Sequence, residues 1–346
     1  MIFMRVLGLD IGGANIKAAT ESAVAASIPF EIWRAPDRLA ELLRGIVEQF
    51  AAAEMLAVTM TAELADCFET KAEGIDQVLR SVESVAGERT VRVWQTSGKF
   101  VSPDEAREEP RLTAAANWHA QATFIGRLVP QGSAMLIDIG STTSDLIPLV
   151  DGVPMPTGRT DRERLQSGEL VYCGVRRTPL CALVDRVPFQ NADCLVAAEL
   201  FATTLDVYLI LGEVAENPLD TATANGRPAT IAHAFDRLAR LLCCDQTEVT
   251  ADELRRVAGH VASVQLRRLT HAAELVASRL PSPCHTVLIS GSGVFLSRKV
   301  ATNTARLTAA QVISLPELFG PAVADAACAF AVAKLAAERE LQFFGA

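Results

Sequence analysis

The sequence predicts an α/β protein of two related lobes facing one cleft. Three observations carry that prediction. At 346 residues the chain is long enough for roughly two domains. Half of its residues are hydrophobic, enough to fill two cores and to exclude a wholly disordered chain. A unit made of an apolar strand, a small-residue turn and a second apolar strand occurs twice, once in each half, and a repeated unit outranks any local signal.

The first copy runs Val6 to Ile11, turns at Gly12-Gly13-Ala14-Asn15 and resumes at Ile16 and Lys17, a hairpin with a small-residue tip. Residues 37–54 then place Leu39, Leu42, Leu43, Ile46, Val47 and Phe50 on one helical face, with Asp37 as N-cap. Residues 55–60 read as a strand, 74–85 as a helix and 91–95 as a strand. The proline- and charge-rich segment 102–110 reads as a surface loop, and 112–128 as a returning helix.

The second copy is Ala134 to Ile139, then Gly140-Ser141-Thr142-Thr143, then Ser144 to Val150. Aligning Asp10 with Asp138 also aligns Ile11 with Ile139 and Gly12 with Gly140. Beyond it, 154–161 is a turn-rich connection, 197–211 reads as a buried helix and 217–228 as a polar loop. Thr250 to Glu253 fits a capping box opening a helix toward Arg279. A short strand at 285–289 is capped by Ser290-Gly291-Ser292-Gly293, and an alanine-rich helix spans about 321–339.

The formal net charge is −9, and no Lys/Arg block offers a nucleic acid a local basic patch. Eight scattered cysteines without a secretory leader read as reduced thiols, so a cytoplasmic location is expected. The longest uncharged runs are broken by proline and glycine, so no membrane span is expected. A homo-oligomer stays open. Gly98-Lys99 fails as a P-loop because Val93 stands where its first glycine belongs, and Gly291-Ser292-Gly293 fails as a dinucleotide fingerprint at Leu296.

Three small-residue turns that each follow an apolar strand mark three close approaches of backbone to ligand. Successive amides at Gly12, Gly13, Ala14 and Asn15, and at Gly140, Ser141, Thr142 and Thr143, would form anion-binding nests, with Lys17 as a local positive charge. A carboxylate beside each nest is explained by a divalent cation, so Asp10 and Asp138 are the expected Mg²⁺ ligands. Arg177, with Arg176, would clamp a carboxylate. Lys71 reads as a phosphate ligand or the partner of an acid, and Asn117 as a contact to an aromatic substrate.

Together, Asp10-Ile11-Gly12-Gly13, Asp138 to Asp145 and Ser290 to Gly293 resemble the two phosphate motifs and the adenosine motif of the superfamily of sugar kinases, heat-shock chaperone ATPases and actin. The second motif resembles the hydantoinase A/oxoprolinase branch. Thr59 to Asp66, Asn117-Trp118, Gly168 to Tyr172 and Arg177 to Pro179 resemble a group linked to methanofuran biosynthesis and tetrahydromethanopterin-dependent one-carbon metabolism. The resemblance implies two ribonuclease-H-like, actin-like ATPase lobes with mixed sheets flanked by helices: residues 1–129 with about 321–346, and residues 130–320 with a helical insertion at about 155–280.

It also implies a transferase that joins an aminomethylfuran-methyl diphosphate to the phenol of a γ-glutamyl-tyramine-like acceptor and releases pyrophosphate. Its partners would be the small-molecule diphosphate and the phenolic amine, with no nucleic acid and no membrane. The expected catalytic residues are Asp138, Asp145 and Glu63, with Asp145 or Glu63 taking the phenol proton; a surface helix cap is the bland reading of Glu63. Ser290, Gly291, Ser292, Gly293, Arg177, Lys71 and Asn117 would bind nucleotide or substrate. The rival readings are an ATP-dependent hydrolase or small-molecule kinase, with ATP in the same cleft, and a non-catalytic nucleotide-binding module.

Overall fold

The computed structural model describes residues 4–343. Residues 1–3 and 344–346, which the expected first lobe includes, lie outside the described residues. The first half folds as β1 (Val6–Ile11), β2 (Asn15–Thr20), β3 (Ala25–Pro29), α1 (Leu39–Gln49), β4 (Met55–Met60) and α2 (Lys71–Ala86). Then follow β5 (Thr90–Trp94), β6 (Phe100–Val101), α3 (Pro103–Glu108), α4 (Pro110–Thr113) and α5 (Asn117–Ile125). The second half opens with β7 (Ser133–Ile139), β8 (Ser144–Val150), β9 (Val153–Pro154), α6 (Asp161–Ser167) and β10 (Leu170–Val171). It continues through β11 (Arg186–Phe189), β12 (Ala192–Leu195), α7 (Thr204–Ile210), α8 (Ile231–Leu241) and α9 (Ala251–Ala277). It closes with β13 (Thr286–Ser290), α10 (Val294–Asn303), β14 (Gln311–Ser314), α11 (Leu315–Phe319), α12 (Pro321–Asp325) and α13 (Ala327–Phe343).

Two mixed sheets result, ordered β3-β2-β1-β4-β5-β6 and β10-β8-β7-β13-β14, with β9 against β8. Around β1 and β7 the ladders have the same pattern. Each of these strands pairs antiparallel with the strand that follows it and parallel with a strand from later in the chain. Six buried residues in a row along β1 fit a strand covered on both faces. One face packs on α13, whose Ala331, Val332, Ala333, Leu335 and Ala336 meet Val6, Met55 and Ala57. The small side chains of α13 let it lie close to the sheet. The other face of the sheet packs on α1 and α2 through Leu39, Leu43, Ile46, Ile75, Val78 and Leu79.

The structure corrects four sequence expectations. Residues 102–110 are not simply a loop: Ser102 and Glu105 form a capping box with Pro103 at the first helical position, and that local chemistry starts α3. The first helix begins at Leu39 rather than at an Asp37 cap, because Pro36–Arg38 forms a separate turn. Only Thr204–Ile210 of the 197–211 stretch is helical, since the capping box of Thr203 and Asp206 sets its start. The insertion after β8 is not purely helical, as it carries the hairpin β11–β12. Among the described residues, no helix is long and apolar enough to cross a membrane.

Candidate active site

The two repeated turns close in the same way. Gly12 N–H donates to Asn15 O at 3.0 Å, and Gly140 N–H donates to Thr143 O at 2.8 Å. Their next carbonyls are tied back into the protein. Gly13 O accepts from Ile32, Ala14 O from Phe30, Gly140 O from Val175, and Ser141 O from both Arg176 and Arg177. Among the described residues, the amides of Gly13, Ala14, Ser141 and Thr142 donate to no backbone carbonyl outside the strand ladders. Carbonyls turned inward and amides left free are the signature of an anion nest.

A strand-end carboxylate stands beside each nest. Asp10 lies opposite Lys17 on β2 and Thr59 on β4, and Asp138 lies opposite Asp145 on β8 and Ser290 on β13. Each aspartate thus has a buried hydroxyl on its parallel neighbour. Burial pushes Asp10 up to about 6, with Lys17 and the Asn117 amide pulling it back. Burial, and then the Asp145 charge, push Asp138 up to about 7, against the Gln121 amide and Lys17. Asp10 Oδ1 is buried with no hydrogen-bond partner.

Helix α5 joins the two aspartates. Asn117 and Gln121 are one turn apart on one face, one beside Asp10 and the other beside Asp138. Gln121 also donates to Ser290 Oγ at 2.8 Å. Sequence reasoning found Asn117 and missed Gln121, although the i, i+4 spacing that puts the two amides on one helix face was a readable signal. Trp118, beside Asn117, is buried in the core. The far face of α5 lines a separate cavity of about 500 Å³ with His119 and Thr123, facing Ser97, Gly98, Asp151 and Gly152. None of the phosphate turns lines it.

Arg164, 1% exposed, is the second residue missed. Its guanidinium donates to Asp145 Oδ1 at 2.6 Å, approaches Asp161 at 3.7 Å and lies 4.0 Å over the Trp118 ring. Thr160 and Glu163 cap the helix that carries it. Glu63 is no surface cap: it is 1% exposed in the turn Ala62–Leu64, just past the end of β4. Neither of its carboxylate oxygens is hydrogen-bonded. Burial pushes it up to about 7, and its own backbone amide and the Lys71 charge offset this only in part.

The remaining expected residues divide into available and committed. Lys17 donates to Asp325 Oδ1 at 3.1 Å and to the Asp325 carbonyl, so its charge is already matched. Arg176 pairs with Asp220 at 2.5 Å, whereas Arg177 is exposed and lies 4.8 Å over Trp33 of the first half. The 290–293 turn mostly braces Asp138. Ser290 is fully buried, Gly293 N–H donates to Ile139 O at 2.8 Å, and of the four residues only Ser292 is exposed. Gly291 holds φ at +86°, and a Cβ there would stand 2.3 Å from Asp138 Oδ1.

A buried network supports the second nest. Gly174 packs so closely that a Cβ would meet Gly140 O at 2.5 Å. Its own carbonyl accepts from Thr204 Oγ1 at 2.8 Å and from Gln265 Nε2 at 2.9 Å, and Gln265 in turn accepts from Tyr208 OH. This clamp fixes the Gly140–Thr142 backbone from behind.

Residues 54–339 match the hydantoinase/oxoprolinase family model. The chain is 33% identical over 333 residues to the (4-{4-[2-(γ-L-glutamylamino)ethyl]phenoxymethyl}furan-2-yl)methanamine synthase of Methanocaldococcus jannaschii, covering 95% of this chain and 97% of that protein. It is 29% identical over 214 residues to the synthase of the same name from Methanococcus vannielii, covering 62% of this chain and 95% of that protein. Nucleotide-free acetone carboxylase shares the fold, with a TM-score of 0.55 at 12% identity over 95% of this chain and 70% of that one. The chain belongs to the hydantoinase/oxoprolinase family.

Proposed function

We propose that this chain is an ether-forming synthase of methanofuran-type cofactor assembly. It joins the phenol of a γ-glutamyl-tyramine-like acceptor to the methylene carbon of an aminomethylfuran-methyl diphosphate and releases pyrophosphate. One observation carries the reading: two matching nests of free amides, each beside a strand-end aspartate whose carboxyl its surroundings push well above the usual range. The name of the two relatives supports it, since a phenoxymethyl furan is the ether such a step makes.

In this reading the amides of Gly13, Ala14, Ser141 and Thr142, with the hydroxyls of Ser141, Thr142 and Thr143, hold the diphosphate oxygens. The donors for a divalent cation fit as well. Asp10 has an unpartnered oxygen and Asp138 stands in the matching position of the other unit, and one or two carboxylates plus phosphate oxygens suffice for Mg²⁺. Asp10, Asp138 and Asp325 against Lys17 leave two negative charges in excess when ionised, the charge of one such ion. When bound, Mg²⁺ supplies positive charge to the departing pyrophosphate.

Asn117 and Gln121 orient the two aspartates. The C–O bond to the diphosphate breaks with its electron pair on pyrophosphate, and the phenol oxygen bonds to the same carbon. Oriented amides that meet the charge as it develops commonly contribute more to such catalysis than any other single effect. Asp145 takes the phenol proton. Arg164 holds its Oδ1, which leaves Oδ2 for the phenol, whereas the charges that act on Glu63 are Lys71 and Asp161 and not the nest aspartates. Arg177, exposed over Trp33, meets the glutamyl carboxylate. Residues 1–129 with about 321–346 act as one lobe and 130–320 as the other.

The test is direct. Purified protein with Mg²⁺, the furan diphosphate and γ-glutamyl-tyramine should release one pyrophosphate per ether formed, followed by mass spectrometry. ADP formation from ATP without any ether would sink the reading in favour of a kinase or hydrolase.

A further inference from the structure

Nine buried side-chain polar atoms have no hydrogen-bond partner among the described residues. Six of them belong to Asp10, Thr59, Glu63, Arg164 and Trp118, the last in the core beneath Arg164. Glu63 alone supplies two, both carboxylate oxygens. A buried carboxyl left without any partner is costly, so it persists where a ligand completes it.

Position and charge say which ligand. Glu63 follows β4, the parallel neighbour of β1, so it sits beyond the same strand ends that carry Asp10, where ligands of open α/β sheets bind. Asp161, at the start of α6 in the second half, is close enough to raise Glu63 further. The backbone amides of Glu63 itself and of Ala115, at φ +47°, lie near the same carboxyl, outside good hydrogen-bond geometry, and offset its burial only in part. Lys71 makes no ion pair among the described residues, and Arg164 is committed to Asp145 and Asp161. Glu63, Asp145 and Asp161 against Lys71 and Arg164 leave one acid in excess when all are ionised. Two acids close enough to repel each other, with one surplus negative charge, fit a small organic monocation.

We propose that Glu63, with Asp161 opposite, is a specificity subsite for the primary ammonium of the furan methanamine, separate from the diphosphate nests. The subsite deepens the ether-forming reading and rests on it for the choice of amine. The donor furan carries its methanamine and its diphosphate on one small ring, so a single molecule can engage an acidic end and a nest end together. Glu63 then fixes which furan enters, and Asp145 is left to the phenol.

The experiment is calorimetry on the full chain with furan-2-ylmethanamine, furan-2-ylmethanol and γ-glutamyl-tyramine as separate probes, for the wild type and Glu63→Gln. The wild type should bind the furan amine at least about 10-fold more tightly than the neutral alcohol, and Glu63→Gln should lose that preference. Binding of pyrophosphate with Mg²⁺ should persist in the variant, which reports an intact fold and intact nests. If Glu63→Gln does not fold, Asp161→Asn with the same probes carries the test, with the same loss expected.

An unchanged amine preference in the folded variant overturns the proposal. So does a loss confined to γ-glutamyl-tyramine, which would assign the subsite to the acceptor's α-amine. These readouts do not need turnover: absence of pyrophosphate release with intact amine discrimination would strike the ether-forming reading alone.

Discussion

Lys17 and Asp145 occupy equivalent positions in the two strand-turn-strand units, each directly across the ladder from a strand-end aspartate. The repeat is therefore symmetric in backbone and opposite in charge. Asp10 faces a cation and rises to about 6, while Asp138 faces an anion and rises to about 7. Like charges directly opposite on a ladder destabilise it, and here the buried guanidinium of Arg164 holds Asp145 in place.

Replacing Asp145 separates these roles. In Asp145→Asn the charge opposing ionisation of Asp138 is gone, so the Asp138 carboxyl should titrate below its wild-type value of about 7 in a carbon-13 NMR titration. Pyrophosphate release should fall by about 100-fold or more, the usual range for a lost general base. A variant with wild-type turnover would remove Asp145 from the reaction.

The occupant of the nests can be read from stability. A ligand that binds only the folded chain stabilises it by RT ln(1 + [L]/Kd), about 2.7 kcal/mol at one hundred times Kd. Pyrophosphate with Mg²⁺ should raise the melting temperature at least as much as ATP with Mg²⁺, and chelation of the metal should cancel the shift. Asp138→Ala should fold, lose the shift and release no pyrophosphate. A large shift with ATP alone would favour a nucleotide enzyme.

Much of the site was legible because it is local. Asp10, Gly12 and Lys17, like Asp138, Gly140 and Asp145, sit within one hairpin, so spacing along the chain is also spacing in space. What was not legible comes from distant segments. Arg164 reaches Asp145 from the helix after β9, Lys17 is held by Asp325 from α12, and Gln121 reaches Ser290 on β13. The bland reading of Glu63 failed for a related reason. A lone acid in a short turn reads as exposed, and only the packing of Gly74 against its backbone and of Ala115 beside it buries the carboxyl. The misread loop at 102–110 was a matter of weighting: its composition suggested a loop while Ser102 and Glu105 already held the cap.

Two glycines of similar appearance should behave differently. Gly291 combines φ +86° with a Cβ position 2.2 Å from Ile139 O and 2.3 Å from Asp138 Oδ1. Gly291→Ala should cost at least about 2 kcal/mol and displace Asp138, so that affinity for Mg²⁺ with pyrophosphate falls as well. Gly13 has nothing within 4 Å of its Cβ position, and Gly13→Ala should leave the melting temperature within a degree or two of wild type. Equal melting temperatures for the two variants would show that the 290–293 turn can move away from Asp138.

The buried carboxyl of Glu63 should make the ligand-free protein less stable as pH rises. Its value in the folded chain is about 7, above the ordinary 4.5, with burial as the main cause. Between those two values the folded chain keeps a proton that the unfolded chain has released. Stability from this group is therefore fully present below about 4.5 and is lost as pH climbs through 7. Glu63→Gln removes the titration. The cost of burying its amide does not depend on pH, so the difference in melting temperature between pH 5 and pH 8 isolates the charge. That difference should shrink in the variant by a few degrees. Identical pH profiles for variant and wild type would mean that the Glu63 carboxylate already has a partner in the ligand-free protein.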